Sequence, residues 1–176
     1  VPLSTIGIIV RDGMLLEFAP TILSIVLAGV VGSKIASELG NMRISEQIDA
    51  LEIMGINTKN YLILPKILGA FTMVPILVGI SAVVGIWGGY IVGNYTGSVP
   101  SEIFLTGIRQ GVVINYMIIA LYKSVIFSFI ISTVPCYFGY NVKGGALEIG
   151  KAGTRSVVVS CILILIADYI VAAIAL

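Results

Sequence analysis

Three ionisable side chains interrupt otherwise apolar stretches of this sequence, and they are its most chemically suggestive residues. They are Glu17, Lys123 and Asp168. If these stretches cross a membrane, each charge costs about 2.5–3.5 kcal/mol at a helix centre and normally pairs with another charge or serves a function. We therefore expect a Lys123–Asp168 or a Lys123–Glu17 ion pair, which either fixes the helix packing or lines or gates a cavity.

Other reactive groups are scarce, and this excludes most hydrolases. The sequence contains no histidine, so Ser-His-Asp triads and His-ligated zinc sites are excluded. Its two cysteines, Cys136 and Cys161, lie in apolar runs, which is typical of buried inert thiols. Residues 145–152 have the spacing of a phosphate-binding loop, but Ala152 stands where that loop needs a magnesium-binding hydroxyl. The sequence therefore predicts no metal site in this chain and no phosphate-binding loop for a nucleotide cofactor.

The elements that position the three charges are predicted to be membrane helices. Of the 176 residues, 58% are hydrophobic and 11% are charged, whereas soluble domains carry about 25% charged residues. A spanning helix needs about 20 mostly apolar residues, and four gaps between charges are long enough. We predict an all-α, polytopic membrane helix bundle, a single domain over residues 1–176, with spans at about 14–36, 66–95, 116–140 and 156–176.

The distribution of Lys and Arg predicts the orientation of these spans. Most of these residues lie between the first two spans or between the last two: Lys34, Arg43, Lys59, Lys66, Lys143, Lys151 and Arg155. Only Arg11 and Arg109 lie on the opposite side. Because cytoplasmic loops are enriched in Lys and Arg, both basic segments are predicted to be cytoplasmic, with residues 96–115 and the C-terminus outside. The net charge of +1 does not favour nucleic-acid binding.

A stripe of glycines marks one face of the second predicted span. Gly85, Gly89 and Gly93 recur at every fourth position, a spacing that lets two helix backbones approach closely. The helix that packs there belongs either to the same chain or to a second copy in a homodimer, and the spacing leaves both interpretations open.

The polar segment 37–66 joins the first two spans and is predicted to contain a helix at about 41–55. Two faces of that helix differ in character, with apolar Ile44, Ile48 and Leu51 on one and acidic Glu46, Asp49 and Glu52 on the other. Gly55 is the predicted end of the helix. Such a helix is either a solvated connector or a docking helix for a cytoplasmic partner.

Several residue strings, in a fixed order along essentially the whole chain, resemble one known family. They are LEFAP (16–20), ELGNMRISEQIDALEIMGIN (38–57), GIWGG (85–89), KSVIF (123–127), TRSVV (154–158) and ADY (167–169). The string at 38–57 is specific, whereas the short ones are weak when taken singly. On these motifs the sequence resembles the MlaE-type permeases of MCE-linked lipid ABC transporters.

The resemblance implies a non-catalytic membrane subunit that forms a homodimer and binds two copies of a cytoplasmic ABC ATPase, which holds the ATP and magnesium. It also implies contact with a ring of MCE-domain proteins on the outer face. Lipid, usually phospholipid, would move between that ring and a cavity between the two permease copies, driven by ATP hydrolysis in the partner.

The resemblance also assigns roles to residues. The helix at 38–57 would be the coupling helix that sits in a groove of the ATPase, with charged or anchoring contacts from Glu38, Arg43, Glu46, Gln47, Ile48, Asp49, Leu51 and Glu52. Glu17, Lys123 and Asp168 match charged positions of the family, which favours a role in lining or gating the lipid cavity. Arg155 is interpreted as a cytoplasmic anchor of the fourth span, or else as a contact to a lipid headgroup or to the ATPase.

Family members usually begin with a membrane-surface helix and one further span, and this sequence has neither ahead of residue 16. The chain is therefore expected to be truncated at its N-terminus, with residues 1–12 forming an outer loop. The expected location is a bacterial inner membrane, in preference to a plastid inner envelope.

Two other classes of protein compete with this interpretation. A stand-alone secondary transporter would use Glu17, Lys123 and Asp168 as a proton or ion relay, but four spans without a recognisable inverted repeat are few for such a carrier. An intramembrane enzyme would need histidine or a paired acidic metal motif, and the sequence has neither.

Overall fold

The computed structural model describes residues 4–97, 99–111 and 114–175, and this part of the chain is helical, with no strand. Its helices are α1 (Thr5–Ile44), α2 (Gln47–Ile53), α3 (Lys59–Tyr95), α4 (Ser101–Arg109), α5 (Ile114–Tyr140) and α6 (Ala146–Ala175). Four of them, α1, α3, α5 and α6, are long and apolar enough to span a membrane. The prediction of a helical bundle with four spanning helices is confirmed, and the protein is a multi-pass membrane protein.

Three long helices begin earlier than the predicted spans, and one of them, α3, begins at Lys59 rather than near Lys66. Residues 5–12, which were expected to form part of an outer loop, are the first turns of α1. Helix α6 begins at Ala146 rather than near Ser156, so Arg155 lies well inside a helix instead of at its start. Gaps between charges locate the part of a helix that crosses the hydrocarbon, which is about 30 Å thick, and they do not show where charged turns extend the helix beyond it.

Helix α1 is irregular around Pro20. Its backbone widens into π-helical turns over Met14–Ile22 and Ala28–Gly32, with regular α-helix before, between and after them. Proline has no N–H and its ring crowds the carbonyl four residues earlier, so a regular α-helical turn is disfavoured at this point. The wider turns let α1 continue past the proline, and they place Glu17 within the irregular stretch.

Helix α5 lies at the centre of the bundle and packs against α1, α3 and α6. Two adjacent stripes of side chains along it are buried. The first consists of small residues: Ala120, Ser124, Ser128, Ser132 and Cys136. The second begins at Lys123 and continues with Phe127, Ile131, Pro135 and Gly139. The buried serine hydroxyls of the first stripe donate to carbonyls of the preceding turn at 2.7–2.9 Å. Small residues let neighbouring helices approach closely in a membrane, which explains the central place of α5.

Two helices approach closely where Gly139 of α5 meets α1. A Cβ atom at this position would lie 2.6 Å from the carbonyl oxygen of Ala36. An apolar cluster of Ala28, Phe127, Ile131 and Ile164 fills the space between α1, α5 and α6 farther along the bundle.

The glycine stripe of α3 packs partly within the chain. A Cβ atom at Gly89 would lie 2.8 Å from the Val10 side chain, and one at Gly85 would collide with the side chain of Met14. Gly93, in contrast, has nothing within 4 Å of its Cβ position. Two of the three glycines therefore serve contacts between α3 and α1, and only the third is open.

Candidate functional site

The three charges predicted to lie in the membrane meet in one cluster that joins α1, α5 and α6. Lys123 Nζ lies 3.0 Å from Glu17 Oε1 and 2.8 Å from Asp168 Oδ1. It also donates to the carbonyl oxygen of Leu16 at 3.0 Å. The Lys123 side chain is only 1% exposed, and these contacts match the three donors of an ammonium group. Both of the ion pairs considered as alternatives from the sequence are present together.

The local structure of α1 builds half of this cluster. Pro20 has no N–H to donate to the carbonyl of Leu16 four residues earlier, and that carbonyl accepts from Lys123 instead. One turn beyond Glu17, the hydroxyl of Thr21 donates to Asp168 Oδ1 at 3.0 Å. Sequence reasoning missed Thr21, although its position four residues after Glu17 places it on the same helical face.

The cluster carries one more negative charge than positive, and its two carboxylates differ in exposure. The Asp168 side chain is 16% exposed, whereas that of Glu17 is 47% exposed. Asp168 is thus held by Lys123 and Thr21 inside the bundle, while Glu17 has one side toward the surroundings of the chain. The arrangement can lock three helices together, and it leaves Glu17 as the member that a ligand or a second chain can reach.

An apolar cavity of about 380 Å³ lies between α1, α3, α4 and α5. Its lining is apolar except for Arg11, Asp12 and Tyr116. Ala120, which lines it, stands three residues before Lys123 on α5. The cavity thus has an apolar wall with one ion pair, Arg11–Asp12, at its edge. One of its lining residues, Ala120, lies less than one helical turn from the charge cluster.

Arg11 fixes the end of α4 beside this cavity. It is buried, bonds to Asp12 Oδ1 at 2.7 Å, and donates to the carbonyl oxygens of Ile108, Gln110 and Gly111 at 2.8–3.2 Å. The last carbonyls of a helix have no partner within the helix and attract cations. From the sequence, Arg11 is predicted only to be a charge on the outer face, because backbone acceptors leave no pattern in a sequence.

The predicted helix at 41–55 is divided in two. Helix α1 continues to Ile44, residues 45–46 form a turn, and α2 begins at Gln47. At the turn Glu46 adopts a left-handed backbone conformation with φ +58°. Gly55, with φ +78°, follows the end of α2, in agreement with the predicted stop. Apolar residues at 44, 48 and 51 continue the helical spacing across the break, so periodicity alone did not reveal it.

Most side chains proposed for partner contacts on this segment are engaged within the chain. Ile48 is 0% exposed, so it is not available as an anchor for a partner. Asp49 accepts from Arg43 at 2.6 Å, and Glu38 is paired with Lys66 at 2.7 Å.

Glu52 belongs to a network that joins α2 to the end of α5. Its Oε1 accepts from the hydroxyls of Tyr140 at 2.9 Å and Thr58 at 3.1 Å. These two hydrogen bonds, that of Tyr140 first, hold the pKa of Glu52 below its usual value. The Arg43 guanidinium lies 5.8 Å from the Tyr140 ring centroid, within the range of a cation–π contact.

The exposed surface of α2 is both polar and apolar. Glu46 and Gln47 are exposed at its beginning, and the Glu46 side chain makes no hydrogen bond or ion pair within the described residues. At its end Ile53 is 87% exposed and Met54 is 65% exposed, while Leu51 is half-buried. The apolar residues that face outward therefore lie later in the segment than the sequence predicted.

Comparison with known proteins identifies the family. The family model described as Permease MlaE matches residues 3–174. A probable ABC transporter permease protein of Rickettsia bellii is 40% identical over 168 residues, which cover 96% of this chain and 65% of the relative. A probable ABC transporter permease protein of Synechocystis is 34% identical over 94% of this chain and 63% of its own length.

A relative from a plant chloroplast extends this similarity. The chloroplastic protein Trigalactosyldiacylglycerol 1 of Arabidopsis thaliana is 33% identical over 88% of this chain and 44% of its own length. The chain spans about 65% of the length of the curated Rickettsia relatives it matches. With a family model over nearly all of its residues and relatives of this identity, the chain belongs to the MlaE permease family.

Proposed function

We propose that this chain is the membrane-spanning subunit of an ABC transporter that moves phospholipid between membranes. In this proposal it is non-catalytic and works as a homodimer with an MCE-domain lipid-binding protein on its outer face. A separate cytoplasmic ATPase subunit binds ATP and magnesium and hydrolyses the ATP. The membrane is a bacterial inner membrane in the first instance, and the chloroplast relative makes a plastid envelope the alternative.

The observation that carries this proposal is the apolar cavity between α1, α3 and α5. Its volume of about 380 Å³ falls in the usual range of small-ligand pockets, about 300–1,000 Å³. The largely apolar lining of the cavity suits the acyl chains of a lipid. The name of the Arabidopsis relative refers to a glycerolipid, which supports the same class of substrate.

The cavity can be tested by filling it from α3. Gly79 lines it and has nothing within 4 Å of its Cβ position, so a side chain added there meets no atom at its Cβ. In full-length protein reconstituted with its ATPase and MCE partner, Gly79→Phe is expected to reduce ATP-dependent transfer of a fluorescent phospholipid at least tenfold. Gly69→Phe is the matched control, because Gly69 is equally unobstructed on the same helix but does not line the cavity. Undiminished transfer by Gly79→Phe would contradict the proposal.

The proposed ATPase contact is on α2. A helix that docks in a groove uses exposed apolar anchors flanked by polar residues, and Ile53 and Met54 with Glu46 and Gln47 have this arrangement. Ile53→Glu is expected to abolish co-purification of the ATPase. Leu147→Glu, at another strongly exposed apolar residue of the predicted cytoplasmic side, is expected to preserve it. Proton-driven transport by the purified subunit alone would instead favour a secondary transporter.

A further inference from the structure

A small basic pocket lies between the end of α5 and the first turns of α6, apart from the transport cavity. Its volume is about 140 Å³, and its charged lining consists of Lys143, Lys151, Arg155 and Glu148. Lys143 lies in the turn between the helices, and Arg155 lies almost three turns into α6, yet the fold brings both to one pocket. The four charged side chains sum to two positive charges.

Two of the three cations in this basic pocket make no hydrogen bond or ion pair within the described part of the chain. Lys151 is paired with Glu148 at 2.6 Å. Lys143 and Arg155 are exposed, and within the described residues neither makes a hydrogen bond or an ion pair. Cationic side chains that only keep a loop exposed to water need not lie close together. Two cationic side chains without an ion pair that line the same concave surface form a site for an anion.

The lining of the pocket also suits the membrane boundary. Buried Val142 and Ala152 line it, and both belong to an apolar cluster against which Phe138 packs. The pocket therefore has an apolar floor beneath cationic side chains. The ligand that fits such a surface carries a phosphate next to an apolar or glycerol group.

The length of α6 places Arg155 at the level of lipid headgroups. Helix α6 has 30 residues and is about 45 Å long, which exceeds the hydrocarbon thickness of about 30 Å. Arg155 precedes Asp168 by thirteen residues, or about 20 Å along the helix. With Asp168 inside the membrane, Arg155 reaches the boundary on the side of the basic loops.

We propose that the basic pocket binds the phosphate of an anionic phospholipid from the leaflet on that side. Basic pockets between membrane helices on the cytoplasmic side are a recurrent mode of anionic-lipid binding. A volume of about 140 Å³ accommodates a headgroup phosphate and not a helix of a partner protein. This site rests on the fold and its charges, not on the transport of lipid, so a failure of the transport test leaves it standing.

The test measures binding of short-chain lipids to the delipidated full-length protein in detergent. The probes are dihexanoyl-phosphatidylglycerol, dihexanoyl-phosphatidylcholine and inorganic phosphate, and native mass spectrometry counts the molecules bound. We expect one phosphatidylglycerol per chain, with phosphatidylcholine and phosphate at least tenfold weaker. The double variant Lys143→Gln/Arg155→Gln is expected to weaken phosphatidylglycerol binding at least tenfold, at about fivefold per charge removed.

The matched control removes the same charge elsewhere. Lys34 and Lys59 are exposed on the same predicted side and do not line this basic pocket, so Lys34→Gln/Lys59→Gln is expected to weaken binding less than threefold. The charge-conserving variant Lys143→Arg/Arg155→Lys is expected to retain binding, which separates loss of charge from misfolding. Equal loss in the two double variants would overturn the proposal in favour of general electrostatics. Binding of free phosphate as tight as that of phosphatidylglycerol would also overturn it. The proposal is likewise overturned if the unsubstituted protein binds no lipid and Lys143→Gln/Arg155→Gln no longer co-purifies with the ATPase.

Discussion

Replacing Lys123 by methionine is the sharpest perturbation of the charge cluster. Methionine has a similar length to the lysine stem but no charge and no donor. The substitution removes the ion pairs at 3.0 Å and 2.8 Å together with the hydrogen bond to the Leu16 carbonyl. It leaves Glu17 and Asp168 as two carboxylates without a cation.

The cost follows from the burial of the two carboxylates. Removing one partner of a buried ion pair typically destabilises a protein by about 3–5 kcal/mol, because the other charge is left uncompensated. Asp168 is mostly buried and retains only the Thr21 hydroxyl, whereas the half-exposed Glu17 can turn outward. We therefore expect Lys123→Met to lower the free energy of unfolding by about 3 kcal/mol, at the lower end of that range. The charge-free variant Lys123→Met/Glu17→Gln/Asp168→Asn should recover to within about 1 kcal/mol of the unsubstituted protein, because it leaves no charge unpaired.

The free energy of unfolding is measured by reversible unfolding of the full-length protein in mixed micelles, and hydrogen–deuterium exchange of α5 monitors the unfolding. Lys66→Met is the matched control, since it makes the same substitution at the ion pair with Glu38, whose side chains are 21% and 52% exposed. Exposed pairs contribute about 0–1 kcal/mol, so the control should lose no more than that. Lipid transport is measured on the same variants after reconstitution with the ATPase and the MCE partner.

Two results would contradict the expected role of Lys123. If Lys123→Met lowers the free energy of unfolding by less than about 1 kcal/mol, the two carboxylates do not need a cation in order to stay buried. A charge-free variant as unstable as Lys123→Met would mean that packing, not an unpaired carboxylate, causes the loss. If the charge-free variant is stable but does not transport lipid, the charges themselves take part in transport.

Three further substitutions have expected outcomes. Gly139→Ala should lower the free energy of unfolding by about 1–3 kcal/mol, because its Cβ meets the backbone of α1. Gly69→Ala is the control and should not lower it, because the Cβ position of Gly69 is open. Equal effects of the two substitutions would contradict the close approach of α5 and α1. The hydrogen bonds of Glu52 lower its pKa, so its contribution to stability is present above the unfolded-state pKa near 4.5 and is lost as pH falls through the lower folded-state pKa. Tyr140→Phe should therefore flatten the acid side of a thermal-unfolding pH series, and an unchanged pH profile would contradict this. Arg11→Met should cost about 1.5–3 kcal/mol in lost charged hydrogen bonds and speed hydrogen–deuterium exchange in α4, and unchanged exchange would show that Arg11 does not hold that helix.

The number of membrane helices could be predicted because hydrocarbon imposes a strict requirement on composition. A helix that crosses it must go about 20 residues with few charges, and this leaves a clear gap in the sequence. The ends of the helices have no such requirement. Charged turns such as those around Glu148 and Lys151 continue α6 into the interfacial region without interrupting it.

The ion pairs of Lys123 could also be predicted, since few charges lie in the apolar spans and each needs a partner. The break at Glu46 could not, because glutamate is a good helix former and a left-handed glutamate is stable only where the surrounding structure holds it. Here the burial of Ile48 and the Arg43–Asp49 ion pair fix the direction of α2. Contacts between segments thus decide the local conformation, and helical periodicity does not record them.

Helix α5 connects the proposed ATPase contact on α2 with the charge cluster around Lys123. Tyr140 at one end bonds to Glu52 of α2, and Lys123, seventeen residues earlier and about 25 Å away along the axis, bonds to α1 and α6. Its buried stripes of small and apolar residues pack closely along most of this length, and dense packing resists bending. Pro135 lies between the two contacts and is the point where α5 bends most easily, because proline removes one backbone hydrogen bond of the helix. In the proposed mechanism, a displacement of α2 by an ATPase therefore breaks the Glu52–Tyr140 hydrogen bond, bends α5 at Pro135, or moves α5 as a whole. Only the last of these three outcomes must change the contacts of Lys123.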